Sequence, residues 1–94
     1  MLRGQETKIK TEKEGLPTYR YAAVRQVRRL EDVGRYVTYG LFAYRKQSGV
    51  WRVVAGISDV STERQAVRRL ARVCTEGNLD PVHLFDVVED FLGS

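Results

Sequence analysis

Cys74 and His83 are the only thiol and the only imidazole in this chain of 94 residues. A Cys–His pair is the starting point of thiol catalysis, which needs an exposed sulfur of low pKa within hydrogen-bond reach of the base. The spacing argues against that chemistry. Cys74 recurs with Val67, Leu70 and Ala71 at helical intervals, on an apolar stripe where a free cysteine packs as a small hydrophobe. His83 falls in the first turn of a second helix, where the positive end of the macrodipole disfavours its protonation. One Cys and one His fall short of a structural zinc site's four ligands. Gly34, Gly40, Gly49 and Gly56 are scattered instead of forming a phosphate loop, and no Ser-centred nucleophile elbow occurs. No catalytic, cofactor-binding or metal-binding residue is assigned, and the chain reads as non-enzymatic.

The charged residues offer the remaining chemistry. Residues 77–94 carry four acids, Asp80, Asp86, Glu89 and Asp90, and no base; all sixteen Lys and Arg precede them, with the other eight acids. Asp86, Glu89 and Asp90 could approach a divalent cation, but they occupy the solvent side of an amphipathic helix, and a solvated face is the plainer reading. Glu89 and Asp90 lie in that helix's last turn, where negative charge opposes the macrodipole by about 0.3–1 kcal/mol each. A compensating arginine, from a strand or a partner, is expected nearby. Arg64, Arg68 and Arg72 stand at i, i+4, i+8 and, with Arg25, Arg28 and Arg29, could track phosphates. Such a row is more commonly just the exposed side of a helix. With a net charge of +4, the basic body attracts phosphate backbones while the acidic last helix repels them.

These side chains need elements to hold them. Ninety-four residues suffice for one modest core without metals or disulfides. Residues 1–15 are polar, charged and aperiodic, and are expected to form a flexible tail before a single α+β domain over 16–94. Tyr19 to Leu30 mixes tyrosine, valine and arginine as one bent strand or two pieces, with Pro17 at its start. Glu31-Asp32-Val33-Gly34 breaks it. Tyr36 to Arg45 is a second strand, Lys46-Gln47-Ser48-Gly49 a turn, and Val50 to Ile57 a third strand with Trp51, Val53, Ala55 and Ile57 on one face. Short connections favour an antiparallel meander. A helix follows, capped by Ser61 or Thr62, with Glu63 at its positive end and Gly77 closing it in the left-handed conformation. Asp80 and Pro81 open a second helix, with Leu84, Phe85, Val88, Phe91 and Leu92 as its buried stripe. The expected fold is βββαα, with both helices on one face of the sheet.

That arrangement leaves an open sheet face. If Val37, Tyr39, Leu41 and Ala43 point to the helices, Tyr36, Thr38, Phe42 and Tyr44 point away, and alternation adds Arg52. Aromatics and arginine on an open face could stack bases or form the apolar patch of a homodimer. The order of elements, three strands and then a helix starting near Ser61-Thr62-Glu63, resembles the arm-type DNA-binding domains of integrases in that order alone.

Three segments carry a closer resemblance: Tyr36-Val37-Thr38-Tyr39-Gly40-Leu41, the junction Ile57-Ser58-Asp59-Val60-Ser61-Thr62, and Leu79-Asp80-Pro81-Val82-His83-Leu84 with Val88-Glu89-Asp90-Phe91-Leu92. Over roughly residues 18–92 the chain resembles a family of short bacterial proteins, mainly from clostridia-like Gram-positive organisms, known only as a domain of unknown function. The resemblance implies a bacterial cytosolic protein and brings no catalytic residue. The arginine-rich segments Arg25 to Arg29 and Arg68 to Arg72 are not part of it.

A single cysteine suits a reducing compartment. The first fifteen residues lack the apolar run of a signal peptide, and no stretch approaches the ~20 apolar residues that span a bilayer. A cytoplasmic protein without membrane partners is expected. The leading functional reading is a domain that binds a protein partner or itself (as a homodimer) through Tyr36, Phe42, Tyr44 and Arg52. The alternative is a nucleic-acid-binding module using Arg25, Arg28, Arg29, Arg64, Arg68 and Arg72.

Overall fold

Tyrosine, valine and β-branched residues in period two build the first half of the molecule as strands. A computed structural model describes residues 17–93; the expected tail, residues 1–15, lies outside them. Three strands, β1 (Tyr19–Leu30), β2 (Gly34–Gln47) and β3 (Val50–Ser61), form an antiparallel sheet in the order β1-β2-β3. Tyr19 to Leu30 is one strand, paired with β2 along its whole length from Tyr19↔Arg45 to Leu30↔Gly34. Ser48 and Gly49, both at positive φ (51° and 80°), make the tight β2–β3 turn whose twist matches antiparallel strands. Helix α1 (Arg64–Glu76) follows, then a single 3₁₀ turn (Pro81–His83) leading into helix α2 (Leu84–Gly93). The βββαα order is as expected.

Both helices cover the same face. Tyr21, Leu41 and Ala43 of the sheet meet Val67, Ala71 and Cys74 of α1 and Leu84 and Val88 of α2 in one buried cluster, with Val60. Leu41 and Val67 are wholly buried, each contributing on the order of 1.5–3 kcal/mol. α1 packs mainly on β1. Tyr21 N–H donates to Thr75 Oγ1 at 2.8 Å, and Tyr19 N–H to Asn78 Oδ1 at 2.8 Å, so side chains at the end of α1 satisfy the free edge of β1 at its start. The Tyr21 hydroxyl donates to the Leu79 carbonyl at 2.8 Å, and burial pushes its pKa up to about 12.

Several local expectations are corrected. The third strand runs past Ile57 to Ser61, its register is broken twice, and its alternation is inverted once. The Tyr39↔Ser61 and Leu41↔Ile57 pairs leave extra residues at 58–60, and Ala43↔Ala55 followed by Tyr44↔Val53 leaves Val54 as a bulge. The single extra residue at Val54 reverses which face the next side chain takes, whereas the two extra residues within 58–60 leave it unchanged. Ala55 and Ile57 therefore face the helices, while Trp51 and Val53 turn to the outer face. Arg52, opposite Arg45, leaves the outer face for the helix side.

The helix termini also differ from expectation. Glu63 is the N-cap of α1, without a side-chain cap bond; the Ser61 hydroxyl accepts from Glu63 N–H at 3.0 Å as a turn before the helix. At its end Gly77 has φ −87°, and Asn78 takes the left-handed position at φ 48°, a role asparagine tolerates. Asp80 does cap the second helical segment, accepting from Val82 N–H at 3.0 Å. Phe85 and Leu92 were expected in the core but are 63% and 58% exposed, because α2 turns only Leu84 and Val88 fully inward. No ion pair compensates Glu89 or Asp90 among the described residues.

Candidate functional site

The outer sheet face is largely occupied by its own side chains. The Phe42 ring lies against Gly56, its partner on β3, where an added Cβ would collide with the ring atoms Cδ2 and Cε2. At Gly40 an added Cβ would sit 2.8 Å from the Ile57 carbonyl, 2.9 Å from Phe42 Cε1 and 3.0 Å from Gln26 Oε1. Two glycines thus make a trough for one ring. The second also opens the path by which Gln26 crosses β2: its Oε1 accepts from Asp59 N–H at 2.9 Å and its Nε2 donates to Ser58 Oγ at 3.3 Å.

The irregularity at 58–60 brings Asp59, at φ 54°, to the Tyr36 hydroxyl, which donates to its carboxylate at 2.9 Å. Thr38 is wholly buried, and its hydroxyl donates to the Ser61 carbonyl at 3.1 Å. The Thr38 hydroxyl alongside, then the hydrogen bond from Tyr36, hold the Asp59 carboxyl below its ordinary range, helped by the Arg28 charge. The same Tyr36–Asp59 bond raises the Tyr36 hydroxyl above its ordinary pKa. At the other end, Arg20 stacks 4.8 Å from the Trp51 ring centroid and Lys46 Nζ lies 6.0 Å from it, within cation–π range.

Of the residues expected on this face, Tyr36 and Phe42 are there but engaged within the fold, Tyr44 is there and half-buried, and Arg52 is on the other side. Sequence reasoning missed the Gln26–Asp59 bridge and the Arg20–Trp51 stack. The consecutive valines Val53-Val54, which break an apolar alternation, were the available sign of the bulge.

The helix-side face carries the opposite pattern. Beyond Tyr39↔Ser61 the sheet loses β3, while β1 and β2 continue paired to Leu30↔Gly34. Where this ribbon emerges from beneath the start of α1, Ala23, Arg25, Tyr39, Arg64 and Arg68 line an open cleft of about 540 Å³. A neighbouring hollow of about 290 Å³ runs along the same helix edge and includes Arg68 and Arg72. Arg25, Arg64, Arg68 and Arg72 are exposed, and none of them has a carboxylate partner among the described residues. Arg29 lies farther out on the ribbon, directly opposite Arg35 and, by alternation, on the same face as Arg25.

Of the six arginines considered for phosphate tracking, four therefore border the cleft and its hollow, and Arg29 extends their line. Arg28 pairs with Tyr36 and belongs to the outer face.

This placement works against folding in three ways. Arg29 and Arg35 are like charges directly across a strand pair, which is destabilising. Arg64, Arg68 and Arg72 repel at i, i+4 by about 0.2–0.5 kcal/mol per pair. Arg64 starts a helix with no acid in its first turn, against the macrodipole. Such a cluster can bind an anion that supplies the missing negative charge.

Cys74 is buried, as its stripe implies, and burial raises its thiol pKa, the opposite of what a nucleophile needs. His83 is exposed.

A family model described as a family of unknown function (DUF6514) matches residues 4–94. The chain belongs to that family. No curated protein and no solved structure is similar to this DUF6514 member. The resemblance carried by the Tyr36–Leu41, Ile57–Thr62 and Leu79–Leu92 segments thus holds as a family of unknown function. Among the described residues of this DUF6514 chain, no helix is long and apolar enough to cross a membrane.

Proposed function

We propose that this protein is a non-enzymatic nucleic-acid-binding module that grips the phosphate backbone in the arginine cleft between β1 and α1. The observation that carries the reading is the convergence of Arg25, Arg64 and Arg68, from two elements, on one open cleft of about 540 Å³ with no carboxylate in its lining. Guanidinium groups present forked donors that match phosphate oxygens and keep their charge at any working pH. A polyanion would relieve the repulsion that the fold leaves in place, which explains why arginines stand there against local preference. The acidic side chains of α2, Asp86, Glu89 and Asp90, belong to a different helix, and none lines the cleft.

The test is fluorescence anisotropy with a labelled oligonucleotide duplex across a salt series. Binding should be strongest at low salt and fall linearly in log–log form, as counterion release requires. Absence of binding at the lowest salt would remove this reading.

A second reading, a protein partner or a second copy on the outer sheet face in a cytoplasmic setting, draws on Tyr44 beside the exposed Val53 and the half-buried Trp51. It is weakened by the engagement of Tyr36 and Phe42 within the fold. Light scattering across concentration tests the self-association form, which a strictly monomeric result would exclude.

A further inference from the structure

The β1–β2 ribbon has no part in the core. It comprises Val27–Leu30 of β1, the turn at 31–33 and Gly34–Val37 of β2, and it projects past the last β2–β3 pair, Tyr39↔Ser61, with Gln26, Tyr36 and Thr38 tying its base to residues 58–61 of β3. Its apolar residues do not pack: Val27 is 44% exposed, Leu30 49% and Val33 69%. Interleaved with them are Arg29 and Arg35 on the helix-side face and Arg28 on the outer one. A projecting ribbon that exposes valines and sets two arginines opposite each other gains nothing for folding from that composition.

We propose that this ribbon enters the major groove of B-form duplex DNA while Arg25, Arg64 and Arg68 hold the flanking phosphates. The inference rests on the nucleic-acid reading above and specifies its ligand. A two-stranded ribbon is one of the two elements that the B-DNA major groove, about 12 Å wide and 8.5 Å deep, admits. Four residues per strand at about 3.4 Å each give roughly 14 Å of reach, enough to cross that depth. Arginine pairs with guanine O6 and N7, and aliphatic side chains meet the thymine methyl; the ribbon offers both.

Glu31 and Asp32, in the turn at the tip, would be repelled by phosphates but can accept from cytosine N4 on a base edge. That favours entry into the groove over a position along the backbone. A-form RNA has a major groove too deep and narrow for such contacts. Single-strand binders need aromatic platforms, and the only aromatic lining the cleft is Tyr39, half-buried.

The full chain is titrated by anisotropy against one labelled sequence as duplex DNA, as single-stranded DNA and as duplex RNA, with polyglutamate as competitor, at several salt concentrations. The double variant Arg29→Ala/Arg35→Ala and the double variant Arg64→Gln/Arg68→Gln are compared with the natural chain, with circular dichroism melts to establish that each remains folded. Duplex DNA is expected to bind at least ~10-fold tighter than the other two ligands. R29A/R35A should erase that preference, and R64Q/R68Q should weaken all three ligands alike and lower the salt slope by roughly 2. Equal affinity for the three nucleic acids, a duplex preference that survives R29A/R35A, or displacement by polyglutamate at equal charge would overturn the ribbon proposal. The absence of any binding at low salt would instead overturn the nucleic-acid reading itself.

Discussion

On the outer face of the sheet, the polar and aromatic groups have found partners within the chain: Phe42 its glycine trough, Tyr36 its carboxylate, Gln26 the bulged backbone of β3, Trp51 its two cations. On the helix side, where β1 leaves the shelter of α1, the arginines have none among the described residues. Residue types alone mark the outer face as available and the helix side as an ordinary solvated edge. Aromatic content marks a binding face only when the rings are not already spent on the fold. Charge marks one when the fold leaves it uncompensated and mutually repelling. By that criterion the helix side is where a ligand has most to offer.

The comparison can be broken most strongly on its basic side. The triple variant Arg25→Gln/Arg64→Gln/Arg68→Gln should lose at least ~100-fold in affinity for duplex DNA, since each charge-assisted contact is worth about 1.5 kcal/mol or more. It should melt no lower than the natural chain; anisotropy and calorimetry together check this, and a large drop in melting temperature would mean that the arginines serve the fold.

The outer face should show the reverse. Gly40→Ala forces a Cβ against the Ile57 carbonyl and the Phe42 ring, and overpacking of this kind costs about 1–3 kcal/mol. Urea unfolding should record that loss while affinity per folded molecule stays unchanged. Thr38→Val leaves the part-buried Ser61 carbonyl without this donor and should destabilise by about 1 kcal/mol.

Tyr36→Phe should have a smaller effect that depends on pH. The Asp59 carboxyl is held below its ordinary 3.8 in the folded chain. The stability it brings is therefore present above about pH 4 and lost as pH falls through the folded value. Removing the Tyr36 donor should move the acid-unfolding midpoint upward, and the gap between variant and natural chain should close in strong acid. A gap constant with pH would show that the Tyr36–Asp59 bond is not its source. The smallest effect has the opposite sign: Arg64→Gln alone should stabilise by roughly a few tenths of a kcal/mol, as one i, i+4 repulsion and one unfavourable dipole contact disappear.

Much of the fold is legible in the residues. The extended span of β1 follows from its tyrosines and valines, the turns from Glu31-Asp32-Val33-Gly34 and Lys46-Gln47-Ser48-Gly49, and the α1 stripe Val67, Ala71 and Cys74 from its period; that β1 is one unbroken strand is settled only by its pairing with β2. The readings that fail do so for identifiable reasons. Alternation assigns Trp51 and Arg52 to the wrong faces because a bulge at Val54 changes parity without changing composition. Phe85 and Leu92 fit an apolar helical stripe, but α2 is short and buries only Leu84 and Val88 fully. Of the six arginines proposed for phosphate tracking, the helical trio is visible as an i, i+4, i+8 row. Its meeting with Arg25 is not, because that depends on how α1 lies along β1.

The sequence by itself determined the order of elements, the one-sided roof of two helices, the capping of the second helical segment by Asp80, and the burial of Cys74. All of these follow from local period and from the need to bury apolar stripes. Tertiary structure alone decided which exposed groups are satisfied. Whether Tyr36 finds Asp59, or Arg25 finds only other arginines, depends on strand register, bulge position and helix placement, which bring together residues more than twenty positions apart. Local propensity carries no information about those distances, and the contrast between a stitched face and an unpaired one arises there.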